Sequence, residues 1–172
     1  MNEKEVHDTI YLQQVKEELG IKQVYAHTWY YRSPPLEEAF GLENIIYAHD
    51  MEPLDDNLNV ERDYPYILAD TSNPPFKNDI FEAFFYQHNH AGTHELQEML
   101  KTVKDGGIVI FSTLDCEDDV PLSQMHKQEN LVEVKLPFES PENTEYDDRY
   151  LGDQTIVPVY TVFQKIPIKT AA

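Results

Sequence analysis

The chain has 172 residues, enough for one well-buried core, and 13 basic against 32 acidic residues leave a formal charge of −19. That balance excludes direct nucleic-acid binding by the isolated chain, because Lys and Arg supply the phosphate contacts, and no apolar run approaches the ~20 residues of a membrane-spanning helix. The lone cysteine, Cys116, excludes an intrachain disulfide and suits a reducing, cytoplasmic setting, and the polar start Met1-Asn2-Glu3-Lys4-Glu5 does not read as a signal peptide.

In chain order, Ile10, Leu12, Val15 and Leu19 recur at helical spacing across residues 8–19, with Gly20 placed as a C-terminal cap. Gln23 to Tyr31 is rich in β-branched and aromatic residues and reads as a strand. Pro34-Pro35 breaks it and starts a short helix, Leu36 to Phe40, stopped by Gly41. Asn44 to Tyr47 reads as a buried strand ending at Ala48-His49-Asp50, and residues 51–63 as a polar, acidic loop. The apolar run Tyr64 to Asp70 is the next strand, followed at once by Thr71, Ser72, Asn73, Pro74, Pro75 and Phe76. An amphipathic stretch then leads through Leu100 into Gly106-Gly107 and a second buried strand, Ile108 to Phe111. Asn130 to Leu136 and Ile156 to Gln164 read as further strands, with a long acidic loop from Pro137 to Gln154 between them.

Strands alternating with helices predict one domain over residues 1–172, a three-layer, mostly parallel, Rossmann-like α/β sheet. The apolar strands near residues 66 and 109 are expected to be parallel neighbours joined by a right-handed helical crossover. Ligands in such sheets sit beyond the carboxyl ends of the strands. That marks Asp70 to Phe76 and Ser112 to Asp118 as the expected working edge.

Two segments carry a family resemblance. Asn73-Pro74-Pro75-Phe76 resembles the Asp/Asn-Pro-Pro-Tyr/Phe motif after the fourth strand of amino-methylating class I S-adenosylmethionine-dependent methyltransferases. Glu98 to Ile110, with Leu100-Lys101 and Gly106-Gly107, looks like the turn that precedes the family's fifth strand, and Val157 to Lys165 looks like its closing strand. The resemblance covers roughly residues 64–165 and implies an abbreviated methyltransferase-like fold with S-adenosylmethionine as cofactor. It implies that Asn73 and the prolines accept hydrogen bonds from an amine being methylated, with Phe76 stacking on a flat substrate. His49 and Asp50 would hold a ribose diol, and Asp70 and Thr71 would complete the cofactor edge. This chain departs from the family in two places: Thr71-Ser72 separates Asp70 from Asn73, and Arg32-Ser33-Pro34-Pro35 stands where a glycine-rich turn belongs.

The expected activity is therefore methyl transfer to an amine of a small molecule, base or protein. The alternative is a degenerate methyltransferase-fold binding protein, an accessory subunit or an acidic antagonist of a nucleic-acid-binding partner. Its contacts would be the acidic stretches Glu52 to Asp63, Asp115 to Asp119 and Glu139 to Asp153, which also serve solubility. A protein partner or homo-oligomer is compatible with both. His88, His90 and His94 faintly resemble a metal cluster, but Gly92 and Thr93 stand where an Asp ligand would fall, and no metal is assigned. Carboxylates around Cys116 disfavour its thiolate and with it a nucleophilic role.

Overall fold

The computed structural model describes residues 3–28, 32–49, 66–68, 73–87, 93–113, 122–142 and 158–168. The chain opens with helix α1 (Glu3–Leu19), carrying Glu3 and Glu5 in its first turn, where carboxylates favour the helix dipole. Gly20, at φ +63°, ends it and lets the Ile21 N–H reach back to the Lys16 carbonyl at 3.0 Å. Strand β1 (Val24–Thr28), helix α2 (Pro34–Phe40), strand β2 (Ile45–His49) and strand β3 (Tyr66–Leu68) follow. Strand β4 (Phe81–Gln87), helix α3 (Thr93–Thr102), strand β5 (Val103–Ser112), the short helix α4 (Leu122–Met125), strand β6 (Leu131–Glu133) and strand β7 (Tyr160–Lys165) complete it.

The seven strands form one sheet in the order β3-β2-β1-β4-β5-β7-β6. All pairings from β3 to β5 are parallel, and β7 runs antiparallel between β5 and β6. The expected three-layer, mostly parallel, Rossmann-like architecture is what the chain adopts. Alternating residues of each strand feed opposite cores. Val24, Ala26, Tyr47, Phe85 and Ile110 pack with Leu12 and Val15 of α1 and Leu36 and Phe40 of α2. On the other face Tyr25, Phe84, Tyr86, Val109 and Phe111 pack with Leu96, Met99 and Leu100 of α3 and Met125 of α4. Strands buried on both faces explain why these segments read as continuous apolar runs.

The expected pairing of the strands near residues 66 and 109 is corrected. Strand β3 lies at the sheet edge, and β2, β1 and β4 stand between it and β5. The missing strand is β4, Phe-Glu-Ala-Phe-Phe-Tyr-Gln, which the sequence reading absorbed into an amphipathic stretch. It pairs with β5 through an irregularity: Phe81 opposes Val103, yet Ala83 opposes Ile108, so Lys104 to Gly107 arch out of the ladder. Gly107 sits in that arch where a Cβ would lie 2.8 Å from both the Lys104 carbonyl and Val103 Cγ1. The Gly106-Gly107 turn ahead of a buried strand, read from the sequence, is thus present in substance. Among the described residues, no helix is long and apolar enough to cross a membrane.

Candidate functional site

The order in which strands are laid down reverses at β1. From there the chain winds outward through β2 to β3, then returns to lay β4 and β5 on the other side of β1. In open α/β sheets ligands bind at such a reversal, beyond the carboxyl ends of the strands on either side of it. Two tiers of side chains line up there. In the lower tier Ala48, His27, Tyr86 and Phe111 are in register across β2, β1, β4 and β5. The rings of His27 and Tyr86 stack at 6.2 Å, and those of Tyr86 and Phe111 at 5.7 Å. One residue further along, where the side chains alternate to the other face of the sheet, the strand ends turn polar: Thr28 pairs with Gln87, Ser112 ends β5 and Thr113 follows it, all but Gln87 buried. Thr113 is fixed by donating its hydroxyl to the Pro158 carbonyl at 2.8 Å, which ties the β5 end to the approach to β7.

A charged network closes the β1–β2 side. Arg32, just after β1, places Nε 2.6 Å from Glu37 Oε1 and pairs Nη2 with Glu37 Oε2, a bidentate fork. The Tyr47 hydroxyl, carried up from β2, donates to Glu37 Oε1 at 3.0 Å and accepts the Ser33 N–H at 3.2 Å. Burial pushes the Tyr47 hydroxyl far above its ordinary range, so it stays protonated and remains a donor to Glu37. The Glu37 side chain is 14% exposed and that of Arg32 35%, so the guanidinium is the member that meets solvent. Arg32, Glu37 and Tyr47 were not singled out from the sequence. The usable signal was an acidic residue in the first turn after Pro34-Pro35, five positions from the lone Arg of that stretch.

The residues expected from sequence divide between the two ends of the sheet. His49 ends β2, its backbone paired with Leu68 of β3, so it lies at the carboxyl edge; Asp50, which follows it, is outside the described residues. Asp70 and Thr71 follow β3 in sequence and are also outside them. Asn73, Pro74, Pro75 and Phe76 lead into β4 rather than away from it. Beyond them, the Asp79 and Ile80 N–H groups donate at 2.9 Å to Lys101 and Thr102, beside the start of β5. Phe76 packs edge-on against Tyr25 and Phe81, with centroids 5.1 and 5.0 Å away, near the amino-terminal ends of β1 and β4. Asn73 is exposed. The assignment of this motif to the carboxyl end of the fourth strand is therefore corrected: the residues that follow β4 are His88, Asn89 and His90, outside the described residues. Of the three histidines to which no metal is assigned, only His94 is described, exposed on α3.

A groove of about 360 Å³ opens at the opposite, amino-terminal edge, between Gly20, Glu82, Lys104, Gly106 and Gln164. Its charges satisfy one another, with Lys104 3.6 Å from Glu82, and Gln164 donates to the Gly106 carbonyl. It lies on the wrong side of the sheet for a switch-point ligand.

No family model and no curated protein matches this chain. Solved structures do. The chain is similar to the 1,6-didemethyltoxoflavin-N1-methyltransferase of Burkholderia thailandensis with bound 1,6-didemethyltoxoflavin and S-adenosylhomocysteine, at 9% identity over 93% of this chain and 79% of that one, TM-score 0.54. It is similar to geranyl diphosphate methyltransferase in complex with SAM, at 9% identity over 92% and 85%, TM-score 0.52. A methyltransferase from Geobacter sulfurreducens matches at 10% identity over 92% and 78%, TM-score 0.51. At such identities the likeness is one of fold, and with the strand order above it is specific: this chain has the class I S-adenosylmethionine-dependent methyltransferase-like fold.

Proposed function

We propose that this protein binds S-adenosylmethionine across the carboxyl ends of β1, β2 and β4 and transfers its methyl group to an acceptor lying over β4 and β5. The observation that carries the reading is the switch point between β1 and β4, where the strands end in polar residues one position past the stacked His27-Tyr86-Phe111 row. The residue types at this edge are those a nucleoside can use: Thr28 and Gln87 end β1 and β4 with a hydroxyl and an amide, His49 ends β2, and Asp50 next to it in sequence is the proposed partner for a ribose diol. When bound, the cofactor supplies an electrophilic methyl on sulfonium. The chain's own work is then to orient an acceptor and exclude water.

The amine acceptor inferred from Asn73 to Phe76 loses its support with the position of that motif. The residues that follow β4 in sequence, His88, Asn89 and His90, lie outside the described residues, and no acceptor contact is assigned to them. A second reading, a degenerate fold that works by binding a partner, is favoured by one observation: the β1–α2 turn has no glycine to let a cofactor approach its backbone. Calorimetric titration with S-adenosylhomocysteine, followed by methyl transfer from labelled S-adenosylmethionine to an amine and hydroxyl panel, tests the two readings. Binding with transfer supports the first reading, and absence of binding contradicts the first reading and supports the second.

A further inference from the structure

Thr28, Gln87 and Ser112 end β1, β4 and β5 on the sheet face that α1 and α2 cover, since alternation carries that face from Ala26, Phe85 and Ile110 to them. Tyr160, paired with Ser112, continues the row into β7. Helix α1 crosses this face from the carboxyl edge to the amino edge. Near its end Lys16 donates to the Ala39 carbonyl at 3.0 Å, and Gly20 borders the groove with Gly106 at the amino edge. At its other half the Tyr11 ring stacks on Tyr160, 5.5 Å away and 8° from parallel. Asp8 comes one turn before Tyr11, about 4.5 Å further along the helix axis. It therefore stands at the carboxyl edge, past the polar ends of β5 and β7.

Asp8 is 2% exposed, and its Oδ1 has no hydrogen-bond partner. Lys4, one turn earlier, acts on the carboxyl through its charge without bonding that oxygen. Burial, and then the charge of Asp8, push the Tyr160 hydroxyl well above its ordinary value, which sets the two side chains within electrostatic reach of each other. An ionised oxygen buried without a donor costs more than a neutral group of the same shape, and such costs collect at working sites. We propose that Asp8 is the acceptor-binding residue, its Oδ1 accepting an N–H from a weakly basic aromatic or heterocyclic amine laid over the ends of β4 and β5. This rests on the methyl-transfer reading above and names its acceptor class. With one N–H held, the nitrogen lone pair is left for the methyl group: the new N–C bond forms, the methyl–sulfur bond breaks with its electron pair kept on sulfur, and the proton shed by nitrogen passes to Asp8. A carboxylate is base enough for that proton and too weak to ionise a hydroxyl.

The test uses the full chain and pairs of ring-substituted anilines and the matching phenols, with labelled S-adenosylmethionine as donor. The wild type should methylate the anilines in preference to the phenols, and Asp8→Asn should lower kcat/KM for anilines about 100- to 10,000-fold while leaving the phenols within a few-fold. Ligand-observed NMR on protein loaded with S-adenosylhomocysteine should show aniline binding about 10-fold weaker in Asp8→Asn and phenol binding unchanged. Calorimetry with S-adenosylhomocysteine should give equal affinities for both proteins, which shows that the variant is folded. Asp8→Glu, with the charge kept and displaced, should retain part of the aniline activity. Wild-type rates on anilines in Asp8→Asn, transfer to phenols alone, or S-adenosylhomocysteine binding with transfer to neither class overturns the inference and leaves the cofactor reading standing. Failure of the wild type to bind S-adenosylhomocysteine removes both.

Discussion

Two residues carry tension that a substitution can release or worsen. Asp8 on α1 is 2% exposed, and its Oδ1 has no hydrogen-bond partner among the described residues. Burial raises its carboxyl above the ordinary value near 3.8, opposed in part by Lys4 and His7. A raised folded-state pKa contributes stability that is complete below 3.8 and lost as pH climbs through the raised value, so at neutral pH the ionised carboxylate is a burden. Asp8→Asn should therefore stabilise the fold at pH 7 by about 1 kcal/mol, raising Tm by about 2–4 °C, and thermal melts should show the gap closing toward acid pH. Gly107 is the opposite case. Its added Cβ would strike the Lys104 carbonyl and Val103 Cγ1 at 2.8 Å, and backbone cannot yield as a flexible side chain would. Gly107→Ala should cost about 1–3 kcal/mol in urea unfolding. Gly106, at φ +83° with nothing near its Cβ position, should cost only the left-handed strain of about 1–2 kcal/mol.

At the scale of elements, the arch between β4 and β5 shows what the sequence made legible. Helix α1 announced itself by periodicity and Gly20, α2 by Pro34-Pro35 and Gly41, and β5 by an apolar run after two glycines. Strand β4 did not. A strand buried on both faces loses its period of two, and Phe81 to Gln87 cannot be told from a helical segment by pattern alone. Missing it put the strand near residue 66 in the fourth place, beside β5, and carried Asn73 to Phe76 from the amino-terminal to the carboxyl edge. His49, at the end of β2, precedes that error, and Asp50 lies outside the described residues. The Arg32-Glu37-Tyr47 network was illegible for another reason: its members come from a turn, a helix and a strand and meet only after folding. Lys165 closes the arch from β7, donating to the Val103 carbonyl and to Asp79 at 3.1 Å, with Asp105 3.7 Å away. Lys165→Met should orphan that carbonyl and cost about 1–3 kcal/mol. Because the clamp is at the amino-terminal edge, ligand affinity at the carboxyl edge should be unchanged in titrations of the same variant.

The whole molecule is a strongly acidic chain on a fold that places its ligand at one edge of a sheet. A charge of −19 opposes phosphate backbones, so the isolated chain should show no duplex binding in electrophoretic shifts at physiological salt. A macromolecular acceptor should be recruited through a basic partner, with an association that weakens steeply as salt rises. The central claim, that the β1/β4 switch point and not the groove at the opposite edge is the working site, is open to one direct measurement. Hydrogen exchange read by mass spectrometry with and without S-adenosylhomocysteine should show new protection in peptides covering the carboxyl ends of β1, β2 and β4, from Thr28 to Glu37, around His49, and around Gln87. Peptides covering Lys104 to Ile108 should be unchanged. Protection confined to Lys104 to Ile108, or none anywhere at saturating ligand, would contradict the account.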